Sequence, residues 1–153
     1  MRDDPSAAQV PPAAVDLLRR ESRLLVQRLR LWTPARFAAG ATPWGTRADL
    51  VHHLAQDLAD RVAAIEGGPR RELPRLDSDL ALPDQLAVTA DDLARAGPSP
   101  AAAVEATAHL LAHRAELLED EVPAGLAAAL GLDDVLARGR KACKPQQMCG
   151  FAL

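Results

Sequence analysis

Four stretches of this chain repeat apolar residues at α-helical spacing, and proline or glycine interrupts the chain between them. That periodicity is the strongest constraint on the fold, because each stretch must bury a stripe that it cannot bury alone. From Ala13 to Leu31 the stripe is Val15, Leu18, Leu25 and Leu29, with Leu17, Leu24 and Leu31 beside it. Arg19, Arg20, Arg23 and Arg30 fall on the other face. From Thr46 to Glu66 the stripe is Leu50, Leu54, Leu58, Val62 and Ile65. A third helix is expected over Asp84 to Ala96. A fourth, over Ala101 to Glu121, carries Val104, Leu111 and Leu118, widened by Leu110 and Leu117.

The breaks between these stretches carry their own chemistry. Thr46 followed by Asp49 is a weaker form of the capping box, and Gly67-Gly68 is a stop signal. Asp79 to Pro83 supplies a cap and a first-turn proline; Ser99-Pro100 repeats the device after Gly97-Pro98. Trp32, Phe37 and Trp44 fall in a segment broken by Pro34, Gly40 and Pro43, where aromatics either pin the segment to a core or line a pocket. Pro123 ends the fourth helix, and Ala124 to Ala142 reads as one or two shorter helical segments. Short connections between four helices imply an all-α four-helix bundle with a short C-terminal helical extension. Residues 1–12 read as a flexible arm, 13–142 as the bundle domain with its C-terminal segment, and 143–153 as a tail.

Composition agrees. With 153 residues the chain suits one core. Aromatics are only 3 %, so its apolar share is mostly alanine, leucine and valine, and alanine and leucine favour helix over strand. The formal net charge of −3 leaves no basic excess for phosphates, so nucleic acid is not expected as a partner. No apolar run reaches the length of about 18 residues that a membrane span needs, and no signal peptide is read at the N-terminus. The chain therefore reads as cytoplasmic, where Cys143 and Cys149 stay reduced. Their C-x5-C spacing fits no zinc ribbon; a weaker reading has the tail add a thiolate to a metal site.

Chemistry concentrates in four histidines. His109 and His113, one helical turn apart, can share a metal ion; a third ligand must come from elsewhere, and only His52 and His53 remain. At 100° per residue His53 lies on the flank of the second stripe and His52 nearly opposite it, so His53 can face the interior and His52 is expected to meet solvent. Glu105, His109, His113 and Glu116 fall together opposite the main apolar stripe of their helix. Such a face is usually solvated. The alanines between them would instead let another helix approach.

The run Trp44-Gly-Thr-Arg-Ala-Asp-Leu-Val-His-His-Leu-Ala55 resembles the W-t-v-R-D-l-v-a-H-L-A segment of the DinB-like superfamily, including the actinobacterial, mycothiol-dependent proteins of the maleylpyruvate isomerase type. His109-Leu-Leu-Ala-His113-Arg114 resembles the H-x-x-x-H-R of the family's last bundle helix. The resemblance spans Val15 to Glu121. It implies a bundle that holds a divalent metal, zinc or nickel, on His53, His109 and His113. The isomerase pattern, Glu-x-x-x-His, puts Glu105 in place of His113. Those two residues are about 12 Å apart along a helix, too far to share one ion. The aspartate usual shortly after the family's helix-four ligand is replaced here by Ala112.

Two functions are thus expected from the resemblance. One is a metal-dependent transferase or isomerase that joins a small thiol such as mycothiol to an electrophilic substrate. The other is a non-enzymatic DinB-like helical binding or dimerisation module without a working metal site. The wide apolar stripe of the first helix suits either a core or a homodimer interface.

Overall fold

A computed structural model describes residues 13–118 and Gly131. The expected arm 1–12, the helical segment 124–142, Cys143, Cys149 and the tail lie outside the described residues. What is described is mostly helical. Helix α1 spans Ala14–Leu29 and the short α2 Pro34–Ala38. Strands β1 (Gly40–Ala41) and β2 (Gly45–Thr46) pair antiparallel, with Gly40 opposite Thr46 and Ala41 opposite Gly45. Helix α3 spans Arg47–Glu66, a 3-10 turn Asp79–Ala81, α4 Leu82–Arg95 and α5 Pro100–Leu118. Among the described residues no helix is long and apolar enough to cross a membrane.

The four long helices share one core: α3 packs on α4 and α5, and α1 packs on α5 and α4. Leu18, Leu25 and Leu29 of α1, Leu50, Leu54 and Leu58 of α3, Leu86 and Leu93 of α4, and Leu110 and Leu111 of α5 are all fully buried in it. Each such leucine contributes about 1.5–3 kcal/mol relative to solvent exposure. Leu24 and Leu31 do not join the core as the stripe suggested; Leu31 is 82 % exposed. Glu21 and Ser22 of the same helix are buried instead. The Glu21 carboxylate accepts from Arg114 of α5 at 3.2 Å, so this polar pair closes the α1–α5 seam.

The helix ends follow local rules. Thr46 and Asp49 form a complete reciprocal capping box, stronger than the sequence suggested: Asp49 N–H donates to Thr46 Oγ1 at 3.1 Å and Thr46 N–H to Asp49 Oδ2 at 2.9 Å. Gly67 closes α3 in the left-handed conformation. Ser99 Oγ accepts from Ala102 N–H at the start of α5. Asp79 does not cap α4. It sits inside the 3-10 turn, which Ser78 caps, and α4 starts on Leu82 with Pro83 in its first turn.

The segment between α1 and α3 holds structure that periodicity did not show. Thr33 caps α2, with Pro34 in its first turn. Phe37 is fully buried and meets Trp32 edge-on at 5.2 Å. Arg36 and Arg47 stand over the Trp32 ring at 4.8 and 5.7 Å. Trp32 and Phe37 therefore pin the segment. Trp44, at the turn of the hairpin, does something else.

Candidate metal centre

Three of the four histidines gather where α3 and α5 meet. His53 projects from the first half of α3, and His109 and His113 from α5. The His53 and His113 ring centroids are 5.7 Å apart, those of His109 and His113 6.5 Å. Trp44 lies across them, 4.4 Å from the His53 ring and 5.5 Å from that of His113. Its indole N–H donates to Glu116 Oε2 at 2.8 Å, which ties the hairpin to α5. The capping box positions this hairpin: Gly45 has φ +107°, and a Cβ there would sit 2.7 Å from Asp49 Oδ2, so only glycine fits.

The polar face of α5 is not a solvated face throughout. Glu105 and Glu116 are exposed, but His109 is half-buried and His113 buried. The reason is that α5 is covered on several sides. Ala103, Ala106 and Ala108 are buried along with the leucines, so little of the helix is left to water.

His113 has an unusual hydrogen-bond state. Its Nδ1 is 2.7 Å from the carbonyl of His109. A carbonyl only accepts, so Nδ1 carries the proton, and in the neutral ring Nε2 carries a lone pair. That Nε2 is buried and has no hydrogen-bond partner. An uncompensated buried polar atom costs about 1–3 kcal/mol. Histidine metal ligands show the same arrangement, with one ring nitrogen fixed by a backbone acceptor and the other left to the ion.

His53 and His109 are tuned the same way. Burial pushes the His53 pKa below its ordinary value, and the nearby His113 adds to this. His53 as a residue stays exposed, with Trp44 against its ring. For His109 burial again is the main cause, followed by the Arg61 guanidinium. Neutral imidazole is the form that binds a metal. Arg61 itself is held by Asp57 at 2.9 Å and Glu105 at 3.6 Å, so Glu105 is engaged away from His113.

The rings lie nearly parallel, at 24° and 22° to one another, and do not converge. Among the described residues no three His, Cys, Asp or Glu side chains are grouped closely enough to hold an ion as they stand. What the two adjoining helices do bring together is three imidazoles, a donor type suited to a divalent ion, one of them with an orphaned nitrogen.

His52 is half-buried and has a partner besides solvent. Its Nε2 donates to the Leu73 carbonyl at 3.2 Å and holds the segment that follows α3. Sequence reasoning placed His53, His109 and His113 on plausible faces but gave Trp44 no specific role. Its position two residues before the capping box was the available signal. Comparison with family models, curated proteins and solved structures finds no match to this chain.

Proposed function

We propose that the chain is a four-helix bundle of the DinB type in which His53, His109 and His113 hold a divalent ion, zinc or nickel, and in which a small thiol such as mycothiol reacts with an electrophilic substrate. The observation that supports this best is the buried, unpartnered Nε2 of His113. When bound, the ion would supply a Lewis acid with an open position that lowers the pKa of a thiol. The protein's own residues do the rest. The His109 carbonyl fixes the His113 tautomer, desolvation favours the neutral form of His53 and His109, and Trp44, latched to Glu116, would shield one side from water.

A second reading rests on a different observation. The near-parallel rings leave no converged ligand set, which favours a DinB-like binding or dimerisation module without a working metal site.

Metal content separates the two. Untagged protein dialysed against Zn²⁺ or Ni²⁺ should retain one ion per chain. His53→Ala, His109→Ala and His113→Ala should each lose it while keeping the helical far-UV signal. Glu105→Gln should retain it; loss there with retention in His113→Ala would move the site to the Glu105 pattern. Wild type that keeps no ion supports the module. Thiol binding is then read on Co²⁺ protein with both cysteines changed to serine, as a sulfur-to-metal charge-transfer band that appears on adding a thiol.

A further inference from the structure

The side of α3 away from the histidines borders a second feature. After Gly67 the chain runs without secondary structure to Ser78. Connections this long are uncommon in a compact domain and usually have a use. This one is strapped down by side chains. Gln56 of α3 donates to the Arg71 carbonyl at 2.9 Å and accepts from Leu73 N–H at 2.7 Å. His52 reaches the Leu73 carbonyl, Arg70 pairs with Asp60 at 2.9 Å, and Gln85 of α4 donates to the Pro74 carbonyl at 3.0 Å.

The strap, α3 and α4 enclose a half-open pocket of about 640 Å³. That volume lies within the range of about 300–1,000 Å³ for small-molecule sites. Its wall is largely apolar, with Val62, Leu73, Leu76 and Val88; Leu76 and Val88 remain 39 % and 59 % exposed. The polar groups are mostly of one kind. Gln85 donates to the Pro74 carbonyl and so belongs to the strap, and its Oε1 is sealed from the pocket. Three carboxylates, Glu66, Asp84 and Asp92, line the same pocket against one guanidinium, Arg71; Asp84 is engaged by Arg30 at 2.7 Å. The site thus offers acceptors and negative charge around an apolar wall.

We propose that this pocket binds an amine carried on an apolar body, an alkylammonium-type ligand. Its ammonium meets the Glu66 and Asp92 carboxylates, and its apolar part covers Leu76 and Val88. An anionic amphiphile of the same shape meets like charge. The proposal is independent of the histidine cluster.

Calorimetric titration of the full chain with octylamine, octanol and octanoate, below their aggregation limits, tests it. Octylamine should saturate at one per chain, octanol should bind more weakly, and octanoate at least tenfold more weakly, in line with a charge-assisted bond worth about 1.5–3 kcal/mol. Asp92→Asn should weaken octylamine about tenfold while leaving octanol unchanged. Ala63→Phe should block the pocket. Val88→Trp, at an exposed position that leaves the core untouched, should also block it and guards against misfolding of the first variant. Octanoate binding as tightly as octylamine, or no saturable amine binding, overturns the proposal. So does a concentration-dependent dimer that Val88→Trp abolishes in a chain that binds no amine, which would make a second copy the occupant.

Discussion

His113 and Arg114 are neighbours in sequence and serve opposite seams of α5. Arg114 faces α1 and finds Glu21, a carboxylate that is only 4 % exposed as a residue. His113 faces α3 and finds no acceptor or donor for its Nε2. Both bring polarity into a leucine-rich interior, and only one is satisfied there. Folding alone selects against orphaned buried groups. The satisfied pair is therefore what stability requires of α5, and the unsatisfied ring is what stability does not explain.

The largest effect expected from breaking this contrast is on the satisfied side. Glu21→Ala leaves the Arg114 guanidinium, 23 % exposed, without its partner. Loss of one member of a fully buried pair costs about 3–5 kcal/mol, and partial solvation of Arg114 reduces this to about 2–3 kcal/mol. Urea unfolding should show the midpoint fall at unchanged slope. A loss below about 0.5 kcal/mol would place Glu21–Arg114 among weak surface pairs and remove the comparison's first half.

Next comes the hairpin that holds Trp44 over the histidines. Thr46→Ala removes the cap for Asp49 N–H and the hydroxyl bond to Asp49 Oδ2. About 1 kcal/mol should be lost. The hairpin is short and its turn is tied to α5 through the Trp44–Glu116 bond, so its looser root should also change Trp44 emission. Unaltered emission in a destabilised variant would separate the cap from the cover over the histidines.

How much of this could be read from sequence depends on range. The ends of α3 and the start of α5 were legible because a cap acts within three residues, as Thr46–Asp49 and Ser99–Ala102 do. That His53 would join His109 and His113 was legible from the shortage of histidines and from helical angle, but the contact itself was not, since periodicity gives a face and not a neighbour. Periodicity alone favoured a solvated face for His113, because it sees one stripe and α5 is buried on several sides. Glu21 was invisible for the same reason: its partner is 93 residues away. The strap after Gly67 is held by side-chain bonds to backbone carbonyls, and nothing in its own residues announces that Gln56, His52 and Gln85 reach it.

A smaller effect separates the seams by pH. Unfolded histidine titrates near 6.5, and burial lowers the folded values of His53 and His109. Between the folded values and 6.5 the unfolded chain binds more protons. The stability contributed by these two groups is thus full above about 6.5 and is lost as pH falls through that window. The slope is bounded by about 1.4 kcal/mol per pH unit for each fully displaced proton, and solvent at exposed His53 reduces its share. Asp49, also lowered, acts only below its ordinary 3.8 and does not overlap. Melting temperatures of chelator-treated protein between pH 8 and 5 should fall, and fall less in His109→Gln. Equal profiles would mean that His109 is not desolvated.

The smallest stability effect is the most informative. His113→Leu removes the orphaned Nε2 and the Nδ1 bond to His109 and puts an apolar side chain of similar size beside Trp44. The lost bond costs about 1 kcal/mol, and the relieved Nε2 returns about as much; leucine also suits a helix better than histidine. The net change should lie within about 1 kcal/mol of zero and can be favourable, as happens when a residue is kept for function at the expense of stability. Retention of Zn²⁺ or Ni²⁺ should disappear in the same variant. A loss of stability as large as that of Glu21→Ala would show that His113 is held by contacts as necessary as the ion pair beside it, and the contrast between the two faces of α5 would no longer mark a functional site.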